Sequence, residues 1–115
     1  MVEAIKRRDK HCQLHGVECK EKSGEYSPLV VDHCISRTHK STFFDERNLN
    51  LICRKSNWLK FKRQNNIAQE IAALVVKRWG LESLEDLNIQ KRIPKKWSIG
   101  ELEALVENFD SLYHE

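Results

Sequence analysis

Two short apolar segments, joined by a polar loop and followed at once by a basic segment, constrain the fold of this chain more than any other feature. The stretch SPLVVDHCIS has the β-branched and apolar composition of a strand. After the loop RTHKSTFFDERN comes LNLIC, which is either a second strand or the entry into a helix. Residues 54–66 then carry five Lys or Arg and no acid, which predicts a basic helix. This order predicts a small α+β unit built from strand, loop and helix.

Helical patterns occupy both ends of the chain. The opening EAIKRRDKHC is typical of a short basic helix or arm, and IAQEIAALVVKRW repeats apolar residues at helical spacing before Gly80, a residue common at helix ends. The last helix starts at Ser98 and Glu101, a capping-box pair. Its apolar stripe packs either on its own domain, the favoured arrangement, or on a second copy. Three apolar residues of the basic helix are expected to face the core in part: Trp58, Leu59 and Phe61.

The length of 115 residues has room for one domain, residues 1–115, with a core at about 10–66 and a helical extension at about 67–115. No apolar run approaches the roughly 20 residues that a membrane span needs, and the charged start MVEAIKRRDK is unlike a secretory signal. A cytoplasmic protein is therefore expected. In that reducing compartment the four cysteines should stay reduced, as metal ligands or as buried small residues.

The charges are unevenly distributed, although the net charge is only +3. Residues 1–97 hold all 20 Lys and Arg against 12 acids, a net of +8, whereas residues 98–115 hold five acids and no Lys or Arg, a net of −5. A basic body attracts a polyanion such as nucleic acid through phosphate contacts and counterion release. A basic surface that is merely solvated is the equally open alternative.

The polar residues of the central segments carry the chemistry. Asp32 and His33 are adjacent, so in a regular strand their side chains point to opposite faces, unless a bulge or twist aims both at one cleft. Asn48 follows His33 after 14 intervening residues, and Asn57 follows after eight more. Cys34 is expected to face away from such a cleft as a buried small residue. The complete pattern is far more specific than an Asp-His pair alone.

This spacing resembles the HNH endonuclease motif, in which strand, loop and helix surround one divalent ion. The third position is Asn instead of His, as in junction resolvases of the endonuclease VII type. The run HCISRTHKSTFFDERNLNLICRKSN, followed by VVKRWGLESLEDL and PKKWSIGELEALVENF, is similar to the NinG/Rap family of phage recombination endonucleases over roughly residues 7–113. The resemblance implies an α+β fold with a ββα-metal (HNH, or His-Me finger) core and a helical C-terminal extension.

The resemblance also implies an activity, the hydrolysis of phosphodiester bonds in branched recombination intermediates such as Holliday junctions and D-loops. His33 would act as the general base, and Asn48 would orient the loop or His33. Asp32 and Asn57 would hold Mg²⁺ or Mn²⁺ through their oxygens. A homodimer is expected, because symmetric cutting of a junction requires two active sites. The alternatives are a general HNH nicking or restriction-type nuclease on duplex DNA, and a DNA-binding module without catalysis.

Basic residues in and near these segments are candidates for phosphate contact. Arg37, just after the strand, is favoured because a guanidinium group suits bidentate phosphate recognition. The predicted DNA-binding residues are Arg37, His39, Arg54, Lys55, Lys60, Lys62 and Arg63. A solvated loop or helix surface is the alternative for each of them.

A structural zinc ion is a further question that the resemblance raises, since HNH nucleases of this layout often have two Cys-x-x-Cys knuckles. Here the knuckles are Cys12-Gln-Leu-His15 and Cys53-Arg-Lys-Ser56, which leaves three good ligands and a serine, a poor one. Either Cys19 supplies the missing thiolate, or zinc is absent and apolar packing holds the knuckle together.

Overall fold

This computed structural model describes residues 2–113, which contain two antiparallel strands and five α-helices joined by loops. The helices are α1 (Val2–Asp9), α2 (Arg54–Phe61), α3 (Ile67–Trp79), α4 (Leu81–Gln90) and α5 (Ile99–Leu112). The strands are β1 (Leu29–His33) and β2 (Leu49–Cys53), and a short 3₁₀ turn (Glu46–Asn48) leads into β2. The α+β class predicted from the sequence is confirmed.

The sheet sets β1 and β2 in a register that brings the connecting loop beside the end of β1. Leu29 lies opposite Cys53, and His33 lies opposite Leu49. Every residue of β2 is buried, because both faces of the strand are covered. On one face Leu49 packs with α1 and α5, and on the other Ile52 packs with α3. The segment LNLIC is therefore a buried strand and not the entry into a helix.

Helix α2 follows β2 without a loop and is shorter than the basic helix predicted over residues 54–66. It ends at Phe61. Three residues soon after that end have φ angles of 57°, 58° and 55°, in the left-handed region that cannot continue a right-handed helix: Arg63, Asn65 and Asn66. The last basic residues of the segment therefore lie in a turn and not on a helix face.

The apolar residues of α2 do not all face the core as predicted. Leu59 packs in part against the core cluster that contains Ile52 and Ile71. Trp58 and Phe61, however, are 55% and 77% exposed. They lie three residues apart on one side of the helix, with ring centroids 6.0 Å apart. The prediction was wrong for both aromatic residues, which form an exposed pair.

The longer helices begin and end where their sequences predict. Helix α3 buries Ile71 and Val75, and Gly80 follows it with a φ of 93°, a conformation that residues with a side chain rarely adopt. Helix α5 begins with the predicted capping box. Ser98 Oγ accepts from the Glu101 N–H at 3.1 Å, and Glu101 Oε1 accepts from the Ser98 N–H at 3.3 Å.

The apolar stripe of α5 is only half covered. Phe109 is buried against α1 and β2, and Leu105 packs beside it in part. Ile99, Val106 and Leu112 stay exposed. Packing of this helix on its own domain is thus confirmed for the inner half of the stripe. None of the helices among residues 2–113 combines the length and the apolar character that crossing a bilayer requires.

A buried charge network ties α1 to the sheet and to α3. The Asp9 carboxylate accepts hydrogen bonds from the Arg8 and Arg78 guanidinium groups, at 2.7 and 2.8 Å. It also accepts from the Leu51 N–H at 2.9 Å, while Arg78 donates to the side chain of Asn50 at 2.7 Å. Burial raises the pKa of Asp9, but these hydrogen bonds outweigh burial and hold the pKa below its usual range.

An Asp9→Asn variant should lose about 3–5 kcal/mol of unfolding free energy at pH 7, because two largely buried guanidinium groups lose their carboxylate. Urea unfolding followed by circular dichroism measures this loss. In the wild type the same contribution is present above the ordinary pKa of Asp and is lost as the pH falls through the lowered pKa of the folded state. The exposed pair of Arg7 and Asp110 gives a matched control, since Asp110→Asn should cost less than about 1 kcal/mol. Equal losses in the two variants would contradict a special role for Asp9.

Candidate active site and metal cluster

An open cleft of about 530 Å³ forms where the end of β1 faces α2. Asp32 and His33 line it from β1, and Asn57 and Lys60 line it from α2. Its other lining residues are Val31, Cys34, Ser36, Arg37 and Phe61. The structure therefore brings three of the four predicted catalytic and metal-binding residues into one cleft, together with two predicted DNA-binding residues. Four consecutive residues, 31–34, contribute to its lining, so the two adjacent residues Asp32 and His33 both reach it at the end of β1.

One hydrogen bond and one ring contact hold the imidazole of His33. Its Nε2 lies 3.1 Å from the carbonyl oxygen of Phe43, and the two rings have centroids 4.5 Å apart. Because a carbonyl oxygen only accepts, Nε2 carries the hydrogen and Nδ1 keeps a lone pair that can take a proton. Burial lowers the pKa of His33 to about 4, and the positive charge of Arg37 adds to the effect. The imidazole is therefore neutral at pH 7.

Asn48 does not line the cleft, although its spacing placed it among the catalytic candidates. It is fully buried, and its Oδ1 accepts from the Ile35 N–H at 2.6 Å. Its Nδ2 donates to the carbonyls of Ile35 and Thr42, at 3.1 Å each. These bonds close the loop that also contains Phe43, the partner of His33. Asn48 thus holds this loop in place from within the core.

A row of aromatic rings supports the same loop. Phe43, Phe44 and Trp97 follow one another with centroid distances of 4.6 and 5.4 Å. The indole Nε1 of Trp97 donates to the carbonyl of Lys40 at 2.7 Å. The segment before α5 therefore packs on the loop that orients His33.

The Asp32 carboxylate already pairs with a cation, the Lys60 ammonium group. Lys60 Nζ lies 2.9 and 3.0 Å from the two carboxylate oxygens and also donates to the backbone carbonyl of His33. Asp32 is only 4% exposed, and burial raises the pKa of its carboxyl while the charge of Lys60 partly offsets that shift. Three oxygens thus converge on one positive charge. Lys60, predicted to contact DNA, is placed against Asp32 instead.

The other predicted DNA-binding residues are spread over different surfaces. Arg37 lies on the wall of the cleft. Arg54 and Lys55 lie at the opposite end of α2, in a second hollow beside His15, Cys19 and Cys53. Two basic residues follow α2 and are exposed: Lys62 and Arg63. The half-buried His39 belongs to the loop and is not among the residues that line the cleft.

Three cysteines and one histidine converge at the N-terminal end of α2. The ligand atoms of Cys12, His15, Cys19 and Cys53 all lie within 4.8 Å of one another. His15 Nδ1 is 3.5 Å from the sulfurs of Cys12 and Cys19 and 3.6 Å from that of Cys53. A tetrahedral zinc ion, with Zn–S of about 2.3 Å and Zn–N of about 2.0 Å, sets sulfur and nitrogen about 3.5 Å apart. This cysteine cluster could therefore bind a metal ion such as zinc.

Ser56 lies beside the cysteine cluster without belonging to its ligand set. Its N–H donates to Cys53 Sγ at 3.4 Å, and its hydroxyl oxygen lies 3.1 Å from the same sulfur. Cys53 also caps the first turn of α2. The sequence left open whether Cys19 supplies the fourth ligand atom or whether no zinc is bound. In the structure Cys19, and not Ser56, is the fourth residue of the cluster.

Two features of the cleft are not visible in the sequence pattern. Lys60 reaches Asp32 through the packing of α2 on β1, which no local spacing encodes. Cys34 contributes to the lining of the cleft although it also packs in part against the core, as expected of a buried small residue. The abrupt end of a short strand is the one signal that could have indicated its position.

No family model, curated protein or solved structure matches the chain.

Proposed function

We propose that the chain is a metal-dependent DNA endonuclease of the HNH (ββα-metal) type. The observation that carries the proposal is one cleft lined by His33, Asp32 and Asn57, in which the carbonyl of Phe43 holds Nε2 of the His33 imidazole. The order β1, loop, β2 and α2 is compatible with a ββα-metal core. The resemblance of the sequence to phage recombination endonucleases extends the proposal to branched DNA.

His33 supplies the base for phosphodiester hydrolysis. Its Nδ1 takes a proton from a water molecule, whose oxygen bonds to phosphorus while the bond from phosphorus to the 3′ oxygen breaks. The leaving 3′ oxygen takes a proton from solvent. The carbonyl of Phe43 keeps the imidazole in one orientation through this step. Arg37, on the wall of the cleft, is suited to hold a phosphate oxygen.

Asp32 and Asn57 would hold the divalent ion, Mg²⁺ or Mn²⁺, because both offer the hard oxygen donors that these ions prefer. In this structure the Asp32 carboxylate is paired with the Lys60 ammonium group, which occupies the place that an ion would take. Bound there, the ion would stabilise negative charge on the phosphate and on the leaving oxygen. Lys60 has to release the carboxylate first.

The cysteine cluster would hold zinc in a structural role. Its three sulfurs and one imidazole nitrogen fill all four positions of a tetrahedral ion. A catalytic zinc site keeps one position open for water or substrate, and this set of ligands leaves none. The cleft and the cysteine cluster therefore have separate functions in this proposal.

Cleavage of a four-way junction, measured beside a linear duplex of the same sequence, with and without Mg²⁺ or Mn²⁺, tests the proposal. Metal-dependent cutting that favours the junction supports a recombination nuclease. Sedimentation of the complex shows whether two copies bind, as a homodimer with two clefts requires. Equal cutting of both substrates leaves a general HNH nuclease, and binding without cutting in either metal leaves a DNA-binding module.

An Asn57→Ala variant should cleave about tenfold more slowly, or slower still, and need more metal for half-maximal rate, because the cleft loses an oxygen donor. Cleavage rates over a Mg²⁺ titration measure both effects. Asn108→Ala is the matched control, since Asn108 is an exposed residue of α5. An unchanged metal dependence in Asn57→Ala would remove Asn57 from the ion.

A DNA-binding module without catalysis is the second candidate, and one observation favours it. The ion pair of Asp32 and Lys60 satisfies the buried carboxylate with no metal at all. A titration with Mn²⁺, followed by electron paramagnetic resonance, separates the two candidates. Binding in the wild type that is lost in Asp32→Asn supports the nuclease, and no binding in the wild type supports the module.

A further inference from the structure

We infer that Trp58 and Phe61 form a stacking platform for unpaired DNA bases at the rim of the cleft. The inference rests on the proposed nuclease function and deepens it, because it names the part of a branched substrate that the chain would recognise. Four observations carry it: the exposure of the two rings, their mutual geometry, the charge around them and their place beside the cleft.

The two rings present flat apolar surface to solvent. Trp58 is 55% and Phe61 77% exposed, and their planes are inclined by only 26° at a centroid distance of 6.0 Å. Covering exposed apolar surface gains free energy, so two adjacent exposed rings offer a surface on which a partner can bind. Nearly parallel rings suit a partner that is itself flat.

The positive charge around the rings indicates that this partner is a polyanion. Lys62 Nζ lies 4.8 Å from the centroid of the Trp58 ring, and Arg63 follows it in the exposed turn. Residues 54–66 contain no acid. A second copy docked here about a two-fold axis would oppose this basic segment to itself, with repulsion between like charges. Aromatic faces among basic side chains are the combination that binds single-stranded nucleic acid, through stacked bases and paired phosphates.

The position of the pair links it to the reaction. Phe61 lines the same cleft as Asp32 and His33, and it lies one turn beyond Asn57 on α2. A base stacked on Phe61 would therefore have its own backbone close to the cleft. The interior of a linear duplex keeps its bases paired and offers no free base face, whereas a branch point or a single strand does. The platform thus favours cutting next to unpaired bases.

Binding of the full chain to fluorescent oligo(dT) and to a linear duplex of equal length, in EDTA so that no cutting occurs, tests the platform. A Trp58→Ala, Phe61→Ala double variant should bind oligo(dT) about tenfold more weakly or worse, with duplex affinity unchanged. An Ile89→Ala, Ile99→Ala double variant, which removes two exposed apolar side chains outside the cleft, should bind both as the wild type does. Trp58→Phe should keep the affinity for oligo(dT) but lose the quenching of indole fluorescence that stacking produces.

The outcomes separate the platform from the nuclease. Equal weakening on both DNAs would overturn the platform and leave the nuclease proposal standing. A smaller sedimenting species for the aromatic double variant would overturn it as well, because the rings would then be a contact between copies. Failure of the wild type to bind either DNA would overturn both proposals.

Discussion

A His33→Ala variant should cleave DNA about 10²–10⁴ times more slowly than the wild-type chain. The substitution removes Nδ1, the group that would take the proton from the attacking water, and leaves Asp32 and Asn57 in place. The affinity for DNA should not change, because phosphate contacts come from basic side chains and not from a neutral imidazole. Single-turnover cleavage at saturating metal measures the rate, and fluorescence anisotropy in EDTA measures the affinity.

His11→Ala is the matched control for this experiment. It removes the same atoms from a half-buried imidazole whose Nδ1 lies 3.3 Å from the Cys12 carbonyl, outside the cleft. This control should keep the wild-type rate. Cleavage by His33→Ala at the wild-type rate would exclude His33 as the base, whatever the behaviour of the control.

If the cysteine cluster holds zinc as proposed, removal of that zinc should unfold the chain or lower its melting temperature sharply. Apparent binding free energies of structural zinc sites are on the order of 10 kcal/mol, comparable with the whole unfolding free energy of a small domain. Three of the four residues of the cluster lie between α1 and β1, and Cys53 ties them to the end of β2. The described backbone between α1 and β1 forms two isolated bridges, Cys12 with Gly16 and Lys20 with Tyr26, but no helix or strand. Thermal melts with and without a strong chelator measure the effect, and mass spectrometry measures the zinc content.

The fourth cysteine gives this experiment its control. Cys34 lies outside the cysteine cluster but packs in part against the core, so Cys34→Ser should keep the zinc and lower the melting temperature only slightly. Cys19→Ser should lower both, because serine is a poor zinc ligand. If the chain contains no zinc and its melting temperature is the same with and without chelator, apolar packing and not a metal ion holds this region together.

The elements of the fold were predictable where the sequence pattern and the packing agree. Helix α3 repeats apolar residues on the face that packs on β2 and α4, and β1 has the composition of a strand. The segment LNLIC stayed ambiguous, because a short apolar run suits a buried strand and a helix equally. What decided it was the pairing with β1, which depends on residues 16 or more positions away in the chain.

The site was predictable in its composition but not in its connections. The spacing of Asp32, His33 and Asn57 indicated one cleft, and the structure places all three in its lining. Periodicity identifies the sides of a helix without saying what covers them, so Trp58 was expected to face the core in part although its ring is 55% exposed. Lys60 was predicted to contact DNA because the side chains of a basic run usually lie at the surface. In the structure its ammonium group pairs with the buried carboxylate of Asp32, which needs a partner.

The helix α2 connects the two sites as a single short rod. Cys53, a member of the cysteine cluster, caps its first turn, and Asn57 and Lys60 reach the cleft from its later turns. Eight residues at 1.5 Å each span about 12 Å, too short a length to bend appreciably. Any displacement of Cys53 would therefore be transmitted to Asn57. In the proposed nuclease, oxidation of the cluster thiols would therefore lower the cleavage rate without any chemical change to Asp32, His33 or Asn57.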